Sequence, residues 1–92
     1  MSEPAIISYG REHVDDYTPD EFMESLRSAF VKNGSDYIML DGFPHGQRFL
    51  AACAAWALDG GLLYNDHNSD DGQQVVSSFR LTPKGREALT LF

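Results

Sequence analysis

Ninety-two residues make one small domain, able to bury roughly 60–70 % of the surface its unfolded chain would expose, and leave no room for a second. Fourteen acidic residues against seven basic ones give a formal net charge of -7, which opposes non-specific attraction to a phosphate backbone. The single cysteine, Cys53, forms no internal disulfide, and the longest uncharged run (49–58) is about half of what a membrane crossing needs, so a soluble cytoplasmic protein with no membrane contact is expected.

The amino-terminal stretch lacks the basic start and sustained apolar run of a leader. Within it the short apolar run PAIISY, closed by Gly10, predicts a strand or an arm that pairs with a sheet, so residues 1–17 are read as an N-terminal arm or strand. REHVDDY follows as loop, and His13 beside Asp15 and Asp16 lacks the further ligands a metal site requires. Thr18 opens the best-specified helix: its hydroxyl can cap, Pro19 suits the first position, Glu21 completes a capping box, and Tyr17 and Phe22 form a hydrophobic staple. Phe22, Leu26, Ala29 and Phe30 share one face, and Asn33 and Gly34 end the helix.

YIML (37–40) is too short for its period to separate a strand from a short helix capped by Ser35. After the turn at Asp41 and Gly42, a second long helix is expected from about His45 to Asp59. Its apolar residues occupy every side, so it is either central to the core or meets another molecule with an alanine face. Phe49, Leu50, Cys53 and Trp56 read as core. Leu62 to Tyr64 then form a short strand, Asn65 to Gln74 a polar loop, and Val75, Ser77, Phe79 and Leu81 one face of a returning strand. Thr82 and Pro83 repeat the Thr-Pro start and launch a last helix to about Thr90.

The run of a helix ending in glycine, GLLY, a polar loop and FRLTPKGREAL resembles the second half of a winged helix-turn-helix domain of bacterial transcriptional regulators. Phe79, Leu81, Thr82, Gly85 and Leu89 carry its closing motif, and Gly61, Leu62 and Leu63 its incoming strand. The resemblance covers about residues 45–91 and implies a small α+β fold with three helices and a two- or three-stranded antiparallel hairpin wing. It makes 45–59 the recognition helix and 65–74 the wing. This chain departs from the pattern in two respects: DYIMLDGFP stands where a clear helix is usual, and the wing carries Asp66, Asp70 and Asp71 with no lysine or arginine.

Two functions from different classes follow. One is a non-enzymatic protein-interaction module whose partner has a basic surface, engaged through Asp66, Asp70, Asp71, His45, Gln47 and Arg48. Small acidic phage or prophage inhibitors of nucleic-acid machinery are similar in size and charge only. The other is a sequence-specific DNA-binding regulator reading a groove with His45, Gln47 and Arg48 and anchored by Arg80, Lys84 and Arg86. Leu91, Phe92 and any uncovered alanine face are the surfaces for a homodimer. Asp66, Asn68 and Asp70 alternate as in a calcium loop, but Gly72 is one place late and Ser77 stands where the glutamate is needed. With Cys53 among alanines, scattered histidines and no glycine-rich phosphate loop, neither an enzyme nor a cofactor is expected.

Overall fold

The computed structural model describes residues 3–41, 47–70 and 75–90. Among these, four α-helices and a three-stranded antiparallel sheet form an α+β unit: α1 (Ala5–Arg11), α2 (Pro19–Arg27), β1 (Tyr37–Asp41), α3 (Arg48–Asp59), β2 (Leu63–Asp70), β3 (Val75–Leu81) and α4 (Pro83–Thr90). The sheet order is β1-β3-β2, so β3 is central and both other strands are edges.

The first helix corrects the expectation of an arm or strand, and with it the count of three helices. Ile6, Ile7 and Gly10 are buried at helical spacing. The two isoleucines made so short a run look extended, and packing against α3 decided otherwise. A 3₁₀ turn, Val14–Asp16, replaces the loop expected there.

α2 begins as its sequence dictates. Glu21 N–H donates to Thr18 Oγ1 at 3.3 Å, Thr18 N–H donates to Glu21 Oε2 at 3.2 Å, and Pro19 follows the cap. Tyr17 and Phe22 meet edge to face, with ring centroids 5.9 Å apart. The far end differs: the α-helix stops at Arg27 and continues as a π-helical turn, Ser28–Lys32, before Gly34 at a φ of 70°. YIML resolves as β1, because Ile38 and Leu40 turn toward the core while Tyr37 and Met39 face out.

α3 is the centre of the molecule. Ala51, Ala52, Ala54, Ala55 and Ala57 are all 0 % exposed, with α1, α2 and β2 packed around them. Alanine is what lets the neighbours come close: a Cβ added at Gly10 of α1 would lie 2.1 Å from the carbonyl oxygen of Ala51. On another side, Phe22 of α2 packs against Phe49 and Trp56, with ring centroids 5.7 and 5.4 Å away. Leu50 departs from the core expected of it and is exposed. The helix ends in a Schellman motif, in which Gly61 at a φ of 75° donates to Leu58 O and Leu62 donates to Ala57 O.

β2 is longer than expected. Asn65 to Asp70, read as loop, continue the strand, since pairing with β3 outweighs a composition poor in strand formers. Asp66 is the extra residue of a bulge between Asn65 and His67, and Asn65 Nδ2 donates to the Ser78 carbonyl at 3.0 Å there. The expected faces of β3 hold at Ser77 and Phe79, which are buried. Thr82 caps α4 by accepting from Gly85 N–H at 3.0 Å and donates to Gly61 O at 2.6 Å. Gly85 brings α4 onto the loop after α3: a Cβ there would lie 2.1 Å from Leu62 O. The spacing of LTPKG therefore has a physical cause, a threonine cap and a glycine contact on one turn.

Candidate functional site

Strand alternation sets one row of β1, β2 and β3 side chains against the helices and the other on the open face of the sheet. Three of the exposed large apolar residues stand on that open face: Tyr37 (43 % exposed), Met39 (54 %) and Tyr64 (45 %). The register places Tyr37 and Tyr64 on either side of Arg80, and Met39 and His67 on either side of Ser78. A shallow groove of about 440 Å³ runs along Tyr37, Met39, His67 and Arg80, walled also by Asp66, Ser69 and Val76.

Arg80 is the electrostatic centre of this face. Its Nε donates to Asp66 Oδ2 at 2.9 Å, its Nη1 donates to Asp36 Oδ2 at 3.1 Å, and its guanidinium lies 5.5 Å from the Tyr37 ring centroid. These bonds, first that to Asp66, hold its pKa above the ordinary arginine value. Two carboxylates against one guanidinium leave the trio with one negative charge. The bulge in β2 supplies Asp66 to this arrangement.

The residues expected to act together are spread over the molecule. Arg48, exposed at the start of α3, is set against Tyr17, whose hydrogen bond is the main reason its pKa is raised. Gln47 turns its amide oxygen inward, buried and without a partner among the described residues. Lys84 reaches the other end of α3, where its chain passes Gly61, and Arg86 is exposed on the same helix, α4. A helix of twelve residues is about 18 Å long, so Arg48 and Lys84 do not share one patch. Asp66 lies on the open face of the sheet, bonded to Arg80. His45 and Asp71 lie outside the described residues, as does the side chain of Asp70.

The chain matches no protein-family model, no curated protein and no solved structure.

A second hollow, of about 530 Å³, lies along α2 and the π turn and is lined by Glu21, Glu24, Ser28 and Phe49. Glu24 there is paired with Arg27 and Lys32. His13 Nδ1 donates to Asp16 Oδ2 at 2.9 Å and its ring packs on Tyr9, a local contact between α1 and the 3₁₀ turn. No three histidine, cysteine or acidic side chains among the described residues are grouped to hold a metal ion. Cys53 is buried, its thiol donates to Phe22 O at 3.6 Å, and burial pushes its pKa up to about 12. No helix among the described residues is long and apolar enough to cross a membrane.

Sequence reasoning missed the sheet face because Tyr37 and Met39 came from an unassigned run and Asp66 from an assumed loop. The alternation Tyr37, Met39 against Ile38, Leu40 was the signal for it. Arg80 was read as a phosphate anchor because its two carboxylate partners lie 44 and 14 residues away in sequence.

Proposed function

We propose that this chain is a non-enzymatic, acidic protein-interaction module on a winged-helix-like scaffold. It engages a partner with a basic surface and modulates nucleic-acid machinery, as phage or prophage inhibitors do. The observation that carries the reading is the open sheet face, where Tyr37, Met39 and Tyr64 stand exposed beside Asp36 and Asp66. Exposed aromatic and methionine side chains with carboxylates close by fit a basic, partly apolar protein surface. The scaffold is supported by the order β1, α3, β2, β3 and α4 and by the cap and glycine contact of LTPKG. The alanines of α3 are buried within the chain, and Leu91 and Phe92, the other surface expected for a homodimer, lie outside the described residues.

The second reading, a DNA-binding regulator, draws on Arg48, Lys84 and Arg86, which pair with no carboxylate among the described residues. Against it stand the burial of α3 beyond its first turn and the two aspartates on Arg80. A helix whose middle, Ala51 to Ala55, is buried can offer a major groove little beyond its first turn.

Mobility-shift titration against random duplex at low salt separates the two. The interaction reading expects no complex at micromolar chain. A complex tighter than about 1 μM that weakens steeply with salt overturns it in favour of DNA binding. In cells of the native host, crosslinking from Met39 replaced by a photoreactive residue should yield one basic protein, and Tyr37→Ala with Tyr64→Ala should abolish that product.

A further inference from the structure

Resting on the reading of an acidic interaction face, we infer how the partner docks: as an extended basic segment that adds a fourth strand to the free edge of β1. In the order β1-β3-β2, β1 is an edge strand paired with β3, and no described strand pairs with the other side of Tyr37 to Leu40. Free edges are normally blunted by bulges, proline or lysine. β2 follows that rule with the bulge at Asp66 and a polar run from Asn65 to Ser69. β1 has no such device from Tyr37 to Leu40: no proline, no lysine, no bulge.

The side chains next to this edge define the occupant. On the open face an added strand would lie beside Tyr37 and Met39, with the Asp36 carboxylate at the end of the row. Lysine or arginine suits those positions, since its apolar stem covers Met39 while its charge meets the one negative charge that Asp36 and Asp66 keep after pairing with Arg80. On the opposite face the alternate residues meet half-buried Ile38 and should be apolar. Backbone hydrogen bonds give such a complex its affinity and the alternating side chains its selectivity. A second copy of this chain is disfavoured as the occupant, because each copy carries a net charge of -7.

The probe is a capped octapeptide alternating lysine and valine, titrated into ¹⁵N-labelled chain. Its fully N-methylated analogue keeps the charges and donates no backbone hydrogen bond, and a glutamate-valine peptide reverses the charge. The expected result is that the lysine peptide binds, shifts the amides of Tyr37 to Leu40 most, and loses at least tenfold in affinity on methylation. Asp36→Asn should weaken it severalfold, while in the free chain only amides near Asp36 and its partner Arg80 shift and those of the helices stay in place. Equal binding of the methylated peptide overturns strand addition and leaves the acidic-face reading standing, as do shifts centred on β2 or on the helices. If neither the lysine peptide nor its analogue binds at millimolar concentration, both readings fail. A doubled mass by light scattering with the β1 amides protected makes a second copy the occupant and also overturns the inference.

Discussion

Gly10 of α1 and Ala51 of α3 stand backbone against backbone, so close that a methyl group on the first would fall 2.1 Å from the carbonyl oxygen of the second. Glycine to alanine within an exposed helix ordinarily gains up to about 1 kcal/mol. Here the sign reverses, because the obstacle is main chain and the helices must separate to admit the methyl. Gly10→Ala should cost about 3 kcal/mol in urea unfolding, and Gly85→Ala, facing Leu62 O at the same distance, a comparable amount. A neutral or stabilising result at either position would mean that the two backbones are not in contact.

Ser77 presents the opposite case. Its hydroxyl faces the core from β3, is 1 % exposed and has no hydrogen-bond partner among the described residues. Ser77→Ala removes an unpaired polar group at little cost in volume and should stabilise the fold by about 1 kcal/mol, raising Tm by roughly 4–8 °C. A loss of stability on this substitution would reveal a partner for the hydroxyl.

Cys53 should be chemically silent in the folded chain. With its thiol pushed up to about 12 by burial, almost no thiolate exists at pH 8, and access is closed as well. Alkylation by iodoacetamide should therefore follow the unfolded fraction through a urea titration. Rapid labelling in the absence of urea would contradict the packing of α3 against α2.

Arg11 joins Glu3 at the start of the described chain to Asp59 at the end of α3. Its hydrogen bond to Glu3 holds that carboxyl below its ordinary value of 4.5. A lowered folded pKa contributes stability that is fully present above the unfolded value and is lost as pH falls through the folded one. The pair is largely solvent-exposed, so Glu3→Gln should cost at most about 1 kcal/mol at pH 7. The gap between the two chains should close as pH drops below 4.5. A gap that stays constant to pH 2 would show that the bond does not form in solution.

What could be read in advance was what local chemistry decides. The Thr18 capping box, the Tyr17 to Phe22 staple, the Thr82 start of α4 and the glycine end of α3 each depend on residues within a few positions and stand as expected, although Gly61 closes the helix instead of opening the strand. The failures depend on distant partners. Ala5–Arg11 is helical because α3 offers it a surface of alanines, and Asn65 to Asp70 is extended because β3 pairs with it. The candidate site suffered most for the same reason. Arg80 looks like a free cation in sequence and becomes the middle of an ion-paired trio only when Asp36 and Asp66 arrive from either side.

The pairing of Tyr37 with Arg80 and of Asp41 with Val76 also sets an order in which the molecule can be completed on the ribosome. β1 emerges early, but its neighbour in the sheet is β3, and all of α3 and β2 must be made in between. A nascent chain that ends before Val75 therefore carries YIML with no strand to receive it. Until then, that edge is open on both sides.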